Sequence, residues 1–151
     1  METVVRDDGS TFQNFYFDPK TGDRLGGGTK QGLSATSCWS RGQAWALYGF
    51  AISYIHTGEV RYLDAAKQVA NYFIANCCDD WLPRVDFRAP AEPVMYDSTA
   101  GACAACGLLE LAKIVSEPEA KMYADAAKAY EKDAEGNYYE PMGFEVPNYF
   151  K

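Results

Sequence analysis

The sequence predicts an all-α protein built from the helical hairpins of an incomplete α/α toroid. Two non-amphipathic segments, the first of them apolar nearly all round, alternate with two amphipathic segments, as expected when each inner helix pairs with an outer helix. The string Tyr62–Lys67 recurs as Tyr123–Lys128 within the two amphipathic segments. Such a repeat indicates stacked units that bury their apolar faces on one another. The chain contains about two clear hairpins of this kind, preceded by an irregular segment.

The N-terminal segment, up to about residue 28, is predicted to be mostly irregular. Alternating residue types over 11–17 favour a strand, and the following stretch, Asp18–Asp23, contains the Pro and Gly that are typical of a turn. We therefore expect a short hairpin or a loop over one face of the barrel. The Gly-rich run that follows, Gly26–Gly32, is expected to be flexible.

The first hairpin is predicted from two consecutive helices. The first helix is expected over Ser37–Thr57, with Ser37 as its N-cap and Gly58 as its C′ residue. It is apolar nearly all round, which predicts burial on most sides. The second helix, Val60–Cys77, is amphipathic, which predicts that it lies on the outside of the first.

The second hairpin follows a loop, residues 79–96, that is rich in Asp, Pro and Arg. Asp97 is placed to cap a third helix, Ser98–Val115, and Pro118 directly precedes a fourth, Glu119–Asp133. The last residues, 134–151, contain Gly and Pro without a helical period and form a divergent tail. We expect the whole chain, 1–151, to be a single domain.

Composition restricts the classes of function. The net charge of -7 and the pI near 4.7 argue against nucleic-acid binding, because phosphates require a basic surface. No apolar run reaches the roughly 20 residues of a membrane span, and no signal peptide is visible. The five cysteines, including Cys103 and Cys106, are interpreted as reduced packing residues of a cytoplasmic protein. His56 is the only histidine and the Cys103–Cys106 spacing has no second ligand pair, so no metal is expected. The sequence also gives no sign of an organic cofactor.

Around the start of the first helix, the sequence concentrates groups that suit a sugar carrying a carboxylate. Indole faces, here those of Trp39 and Trp45, cover the apolar side of a pyranose ring. Arg41 offers a planar fork that matches a carboxylate, and Gln31 and Gln43 add amides. The alternative is that the Trp and Arg side chains are packing anchors and one half of a surface ion pair.

The segment Ser37–Phe50, with its Trp-Ser-Arg-Gly-Gln-Ala-Trp string, resembles the corresponding stretch of the unsaturated glucuronyl hydrolases, glycoside hydrolase family 88. The segment Tyr96–Leu111 resembles the same family, as do Asp7–Thr11 and Phe17–Gly22. The resemblance extends to about Lys132 and covers only the later part of a family enzyme. A rhamnogalacturonyl hydrolase of a neighbouring family is a further option, but the tryptophan-rich string favours the glucuronyl type.

This resemblance implies a barrel of six hairpins and hydration of the C4=C5 bond of a 4,5-unsaturated uronic acid at the non-reducing end of an oligosaccharide. It assigns Gln31, Trp39, Arg41 and Trp45 to substrate binding. Lys30 stands where the family is expected to have His. The two key aspartates of the family lie ahead of residue 1 of this chain, so the resemblance supplies no catalytic residue here.

No local acid is nominated as a replacement for those aspartates. Asp97 is explained by its capping position, Asp79 and Asp80 by a solvated loop, and Glu110 by an ion pair on its helix. Asp86, in the same loop, is a candidate as well and is not nominated either.

Two hypotheses follow. In the first, the chain is a truncated hydrolase that holds only the substrate-binding part and takes an unsaturated uronate-bearing oligosaccharide. In the second, it is a non-catalytic helical module that binds a sugar or another protein. In either case, two hairpins leave the apolar faces of the inner helices uncovered, which predicts a homo-oligomer or a missing barrel half as partner.

Overall fold

The computed structural model describes residues 3–77 and 81–130. Its elements are β1 Asn14–Phe17, β2 Arg24–Gly28, α1 Ser40–Thr57, α2 Val60–Asn76, α3 Ser98–Ile114 and α4 Glu119–Ala129. The predicted helical class is confirmed, with the addition of a two-stranded sheet. The predicted tail, 134–151, and the loop residues Asp79 and Asp80 lie outside the described residues.

The four helices form two hairpins that stand side by side. α1 and α3 pack against each other in the centre, α2 packs against α1, and α4 packs against α3. The repeated strings therefore lie in the two outer helices, as predicted. Gly107 lets the inner helices approach closely, because a Cβ atom there would lie 2.8 Å from Cγ of Leu47. Leu108, Phe73 and Tyr123 are fully buried in the resulting core.

Two of the three predicted helix caps are confirmed. Gly58 ends α1 with φ 69° and donates its N–H to the carbonyl of Tyr54, and the Asp97 side chain accepts the N–H of Ala100. The predicted N-cap, Ser37, is wrong. α1 begins at Ser40, and the Ser37 hydroxyl donates instead to a carboxylate in the loop before α3.

The predicted N-terminal hairpin is present, but the Gly-rich run is not simply flexible. Gly26, Gly27 and Gly28 belong to β2, which pairs antiparallel with β1. A Cβ atom on Gly27 would lie 2.1 Å from the ring of Phe12, so glycine is required for this ring to cross the strand. The ring of Phe12 therefore packs directly on the backbone of β2.

The prediction that α1 is buried on most sides holds for one side only. Leu47 and Ala51 are fully buried towards the other helices. Trp45, Tyr48 and Ile55 are about half exposed and form an apolar stripe that borders this buried side. Within the residues that the structure describes, no helix is both long enough and apolar enough to pass through a bilayer.

Candidate functional site

The start of α1 lies where three loop segments meet. The N–H of Ser40 donates to the carbonyl of Val85 at 3.0 Å, and the N–H of Phe87 donates to the carbonyl of Cys38 at 3.0 Å. The N–H of Val85 in turn donates to the carbonyl of Met95 at 2.8 Å. These bonds fasten the segment before α1 to both ends of the loop before α3.

The carboxylate of Asp86 organises this junction. One oxygen accepts the N–H of Leu33 at 3.0 Å and the hydroxyl of Ser37 at 2.6 Å. The other accepts the N–H groups of Cys38 at 3.1 Å and Arg88 at 2.9 Å. The residue is only 3% exposed. A buried carboxylate that accepts four hydrogen bonds holds its surroundings in one conformation, because the three backbone N–H groups would be left without an acceptor if they were released.

Arg41, in the first turn of α1, forms an ion pair with Asp97. Its Nε and Nη2 atoms both lie 2.9 Å from Oδ2 of Asp97, whose Oδ1 accepts the N–H of Ala100. The Asp97 side chain is 3% exposed and that of Arg41 is 37% exposed. Asp97 thus engages one edge of the guanidinium. Among the described residues, no hydrogen bond or ion pair engages Nη1.

Two indole rings lie next to this guanidinium, one after the other. Its carbon lies 5.7 Å from the ring centroid of Trp39, and the rings of Trp39 and Trp45 meet edge to face with centroids 5.1 Å apart. Trp39 is 5% exposed, whereas Trp45 is 53% exposed. Trp45 lines a groove of about 520 Å³ between α1 and the N-terminal segment, together with Gln13 and Asn14. This volume is within the usual range of ligand sites.

Gln13 connects this groove to Gln31. Its amide nitrogen donates to Oε1 of Gln31 at 2.5 Å, and its oxygen accepts the backbone N–H groups of Lys30 and Gln31. Gln31 also lines a second, smaller cavity towards the loop before α3. Sequence reasoning missed Gln13. Its only signal was its place between the aromatic residues Phe12 and Phe15 of the predicted strand.

Gln43 does not belong to this set, contrary to the sequence interpretation. It is fully buried, and its amide donates to the carbonyls of Gly9 at 2.7 Å and Val69 at 3.1 Å. Its oxygen accepts the thiol of Cys38, and burial raises the pKa of that thiol to about 11. Cys38 is therefore a neutral packing residue, and Gln43 ties α1 to the N-terminal segment and α2.

Those of the candidate acids that lie in the described part of the chain have structural partners. Asp86 and Asp97 accept the hydrogen bonds described above, and Glu110 pairs with Lys113 at 2.7 Å. In residues 3–77 and 81–130, no group of three or more His, Cys, Asp or Glu side chains is placed to hold a metal ion.

The structure therefore joins the four sequence-predicted residues in one connected row. The row runs from Gln31 through Gln13 to the groove lined by Trp45, and from there through Trp39 to Arg41. Lys30 lies beside this row with an exposed side chain.

Known proteins share this arrangement of helices and its sequence. The chain is 45% identical over 128 residues to the unsaturated glucuronyl hydrolase of Bacillus sp. strain GL1, an alignment that covers 83% of this chain and 34% of the relative. The crystal structure of the Bacillus sp. GL1 hydrolase superposes with a TM-score of 0.82 at 43% identity, covering 85% of this chain and 35% of that one. The homologues of this chain are unsaturated glucuronyl hydrolases. No model of a known protein family matches the chain.

Two further hydrolases extend this set. The unsaturated chondroitin disaccharide hydrolase of Streptococcus pneumoniae is 41% identical over 119 residues, which is 78% of this chain and 30% of the relative. A variant of the Streptococcus agalactiae unsaturated glucuronyl hydrolase, solved in complex with dGlcA-GalNAc6S, has a TM-score of 0.71 at 38% identity and covers 84% of this chain and 34% of that one. The chain thus spans about a third of these hydrolases, and this share is consistent with the predicted partial form. The structural neighbours also confirm the α/α-toroid type of the fold.

Proposed function

We propose that this chain is the uronide-binding part of an unsaturated glucuronyl hydrolase. Arg41 binds the carboxylate of the uronate, Trp39 and Trp45 cover its ring, and Gln31 binds its hydroxyls. The observation that carries the proposal is the guanidinium of Arg41, because Asp97 engages only one of its edges beside two indoles. A second carboxylate can pair with the remaining donors of such a fork.

The reaction that this binding serves is hydration of the C4=C5 bond, which requires a positioned general acid. The described carboxylates at the site, Asp86 and Asp97, already accept structural hydrogen bonds. We therefore assign binding, and not proton transfer, to the residues of this chain. Its free thiols, among them Cys38 and Cys103, favour a reducing, cytoplasmic setting.

The proposal predicts that the chain binds an unsaturated chondroitin disaccharide through its carboxylate. In calorimetric titrations, the methyl ester of the same disaccharide binds about tenfold or more weakly, because a charge-assisted hydrogen bond is lost. The ultraviolet absorbance of the C4=C5 bond stays constant during the titration with the acid. Equal affinities for acid and ester would contradict the carboxylate contact, and loss of absorbance would reveal a general acid within the chain.

A second copy of the chain is the partner that we propose for the apolar stripe of α1. Within this stripe, Tyr48 and Ile55 do not line the groove proposed for the sugar, unlike Trp45, so a second copy can cover these two residues while Trp45 stays accessible. Leu109 of α3 is also exposed. An exposed apolar surface of this kind is characteristic of an interaction site. Light scattering at micromolar concentration is expected to give a mass above 16.7 kDa, and Ile55→Glu is expected to lower it to the monomer value. A monomeric mass for the unmodified chain would contradict self-association.

A further inference from the structure

The side-chain amide of Gln13 has only one possible orientation. Its Oε1 atom accepts the backbone N–H groups of Lys30 at 2.8 Å and Gln31 at 3.0 Å. The same oxygen accepts the hydroxyl of Thr29 at 2.7 Å, and this hydroxyl accepts the N–H of Gly32 at 2.8 Å. Because a backbone N–H group can only donate, the atom that faces these donors must be the amide oxygen and not the amide nitrogen.

The orientation of Gln13 determines that of Gln31. With the Gln13 oxygen committed to the backbone, its NH2 group is left to face the side chain of Gln31, and Nε2 lies 2.5 Å from Oε1 of Gln31. Turning the Gln31 amide over would bring two donor groups together, so its oxygen must be the atom that faces Gln13. Gln31 is exposed, and among the described residues its NH2 group has no hydrogen-bond partner. It therefore offers N–H donors to a ligand.

Gln13 fixes this amide before any ligand arrives. It is half-buried and directly precedes β1, whereas Gln31 lies in the irregular segment between β2 and α1. Three donors of that segment converge on the one oxygen of Gln13, which fastens the backbone as well as the side chain of Gln31. A group that is already ordered loses less conformational entropy on binding than a free side chain does.

We propose that Gln13 is a positioning residue, which orients the amide of Gln31 so that Gln31 contacts a ring hydroxyl of the uronate only as a hydrogen-bond donor. This inference rests on the proposed uronide binding and adds the direction of one contact. The ligand atom opposite Gln31 must then accept a hydrogen bond. An oxygen or a fluorine atom at this position is favoured over hydrogen, because hydrogen leaves the N–H group without an acceptor in the complex.

The test uses analogues of the unsaturated chondroitin disaccharide in which the uronate hydroxyl at C2 or at C3 is replaced by fluorine or by hydrogen. Fluorine accepts a hydrogen bond weakly and donates none, so the ratio of the fluoro and deoxy affinities reports the direction of the contact. Calorimetry with the full chain is expected to give about threefold tighter binding of the fluoro analogue at one of the two carbons. In Gln31→Ala this ratio falls to about one.

The variant that isolates the role of Gln13 is Gln13→Glu. Its carboxylate still accepts the backbone donors but presents only oxygen to Gln31, whose amide must turn over and direct its own oxygen to the ligand. The fluoro analogue is then expected to bind more weakly than the deoxy analogue, so the ratio inverts. As a control, Lys30→Gln lowers the net charge by the same amount at an exposed neighbour of Gln31 and should keep the ratio of the unmodified chain.

Nuclear magnetic resonance measures the orientation without a ligand. In Gln13→Glu, the NH2 protons of Gln31 donate to the introduced carboxylate and are expected to shift when it is protonated at low pH, a shift that Lys30→Gln does not show. An unchanged affinity ratio in Gln13→Glu, or NH2 protons that do not respond to its carboxylate, would overturn the positioning role and leave the uronate proposal standing. If no disaccharide binds, the uronate proposal fails and this inference fails with it.

Discussion

Asp86→Ala is expected to lower the free energy of unfolding by about 3–4 kcal/mol, the largest loss of stability that the site offers. The alanine leaves the N–H groups of Leu33, Cys38 and Arg88 without an acceptor, and the hydroxyl of Ser37 keeps only the carbonyl of Ser34. Water reaches this position poorly, since Asp86 is 3% exposed. A loss of this size is a large fraction of the stability of a small domain.

Two measurements distinguish this local effect from general weakening. Urea unfolding followed by tryptophan fluorescence gives the free energy, and amide hydrogen exchange at Leu33 and Cys38 reports on the junction itself. Asp86→Asn keeps one acceptor oxygen and is expected to show about half of the loss. The control, Asp125→Ala, removes an exposed carboxylate of α4 and should have little effect. Undiminished protection of both amides in Asp86→Ala would show that the carboxylate does not hold the junction.

The hydrogen bonds of Asp86 are also an example of contacts that could not be predicted from the sequence. Leu33 and Asp86 are 53 positions apart, and the two other main partners in the loop before α1 are nearly as distant. No local pattern marks such a contact, because it exists only after α1 and α3 have packed and brought their preceding loops together. The same packing explains why the Ser37 hydroxyl serves Asp86 instead of capping the helix.

Features that depend on neighbouring residues were predicted well. The cap at Asp97 and the end at Gly58 are decided within one turn of helix, and the sequence places both correctly. Helix periodicity likewise separated inner from outer helices. For the candidate site, residue type and spacing selected Arg41 and Trp45. They also selected Gln43, whose burial against the N-terminal segment is a tertiary effect that spacing does not encode.

The two oxygens of Asp97 have different partners, which allows its structural and binding roles to be separated. Oδ1 caps α3 through Ala100, and Oδ2 holds Arg41. Asp97→Asn and Asp97→Ser both retain a capping oxygen and lose the ion pair, whereas Asp97→Ala loses both. We therefore expect the alanine variant to be less stable than the other two by about 1 kcal/mol in urea unfolding.

The affinities of the variants for the unsaturated disaccharide should rank differently from their stabilities. Arg41→Ala is expected to weaken binding by about 10- to 100-fold, because it removes the proposed partner of the carboxylate. All three Asp97 variants should weaken binding to a similar and smaller extent, because each releases the guanidinium from its fixed position and ordering it again costs entropy. As a control, Glu110→Gln removes the partner of Lys113 on the exposed part of α3 and should leave the affinity unchanged.

The ranking of the variants by stability and their ranking by affinity together decide between a binding site and a packing cluster at the start of α1. If the affinities of the Asp97 variants fall in parallel with their stabilities, the ion pair serves only the fold, and Arg41 is the packing and surface residue of the alternative interpretation. If asparagine and serine preserve stability but lose affinity, the position of the guanidinium itself matters to the ligand. The methyl ester provides the final test of this contact. Because the esterified disaccharide has no free carboxylate, it should bind equally to Arg41→Ala and to the unmodified chain.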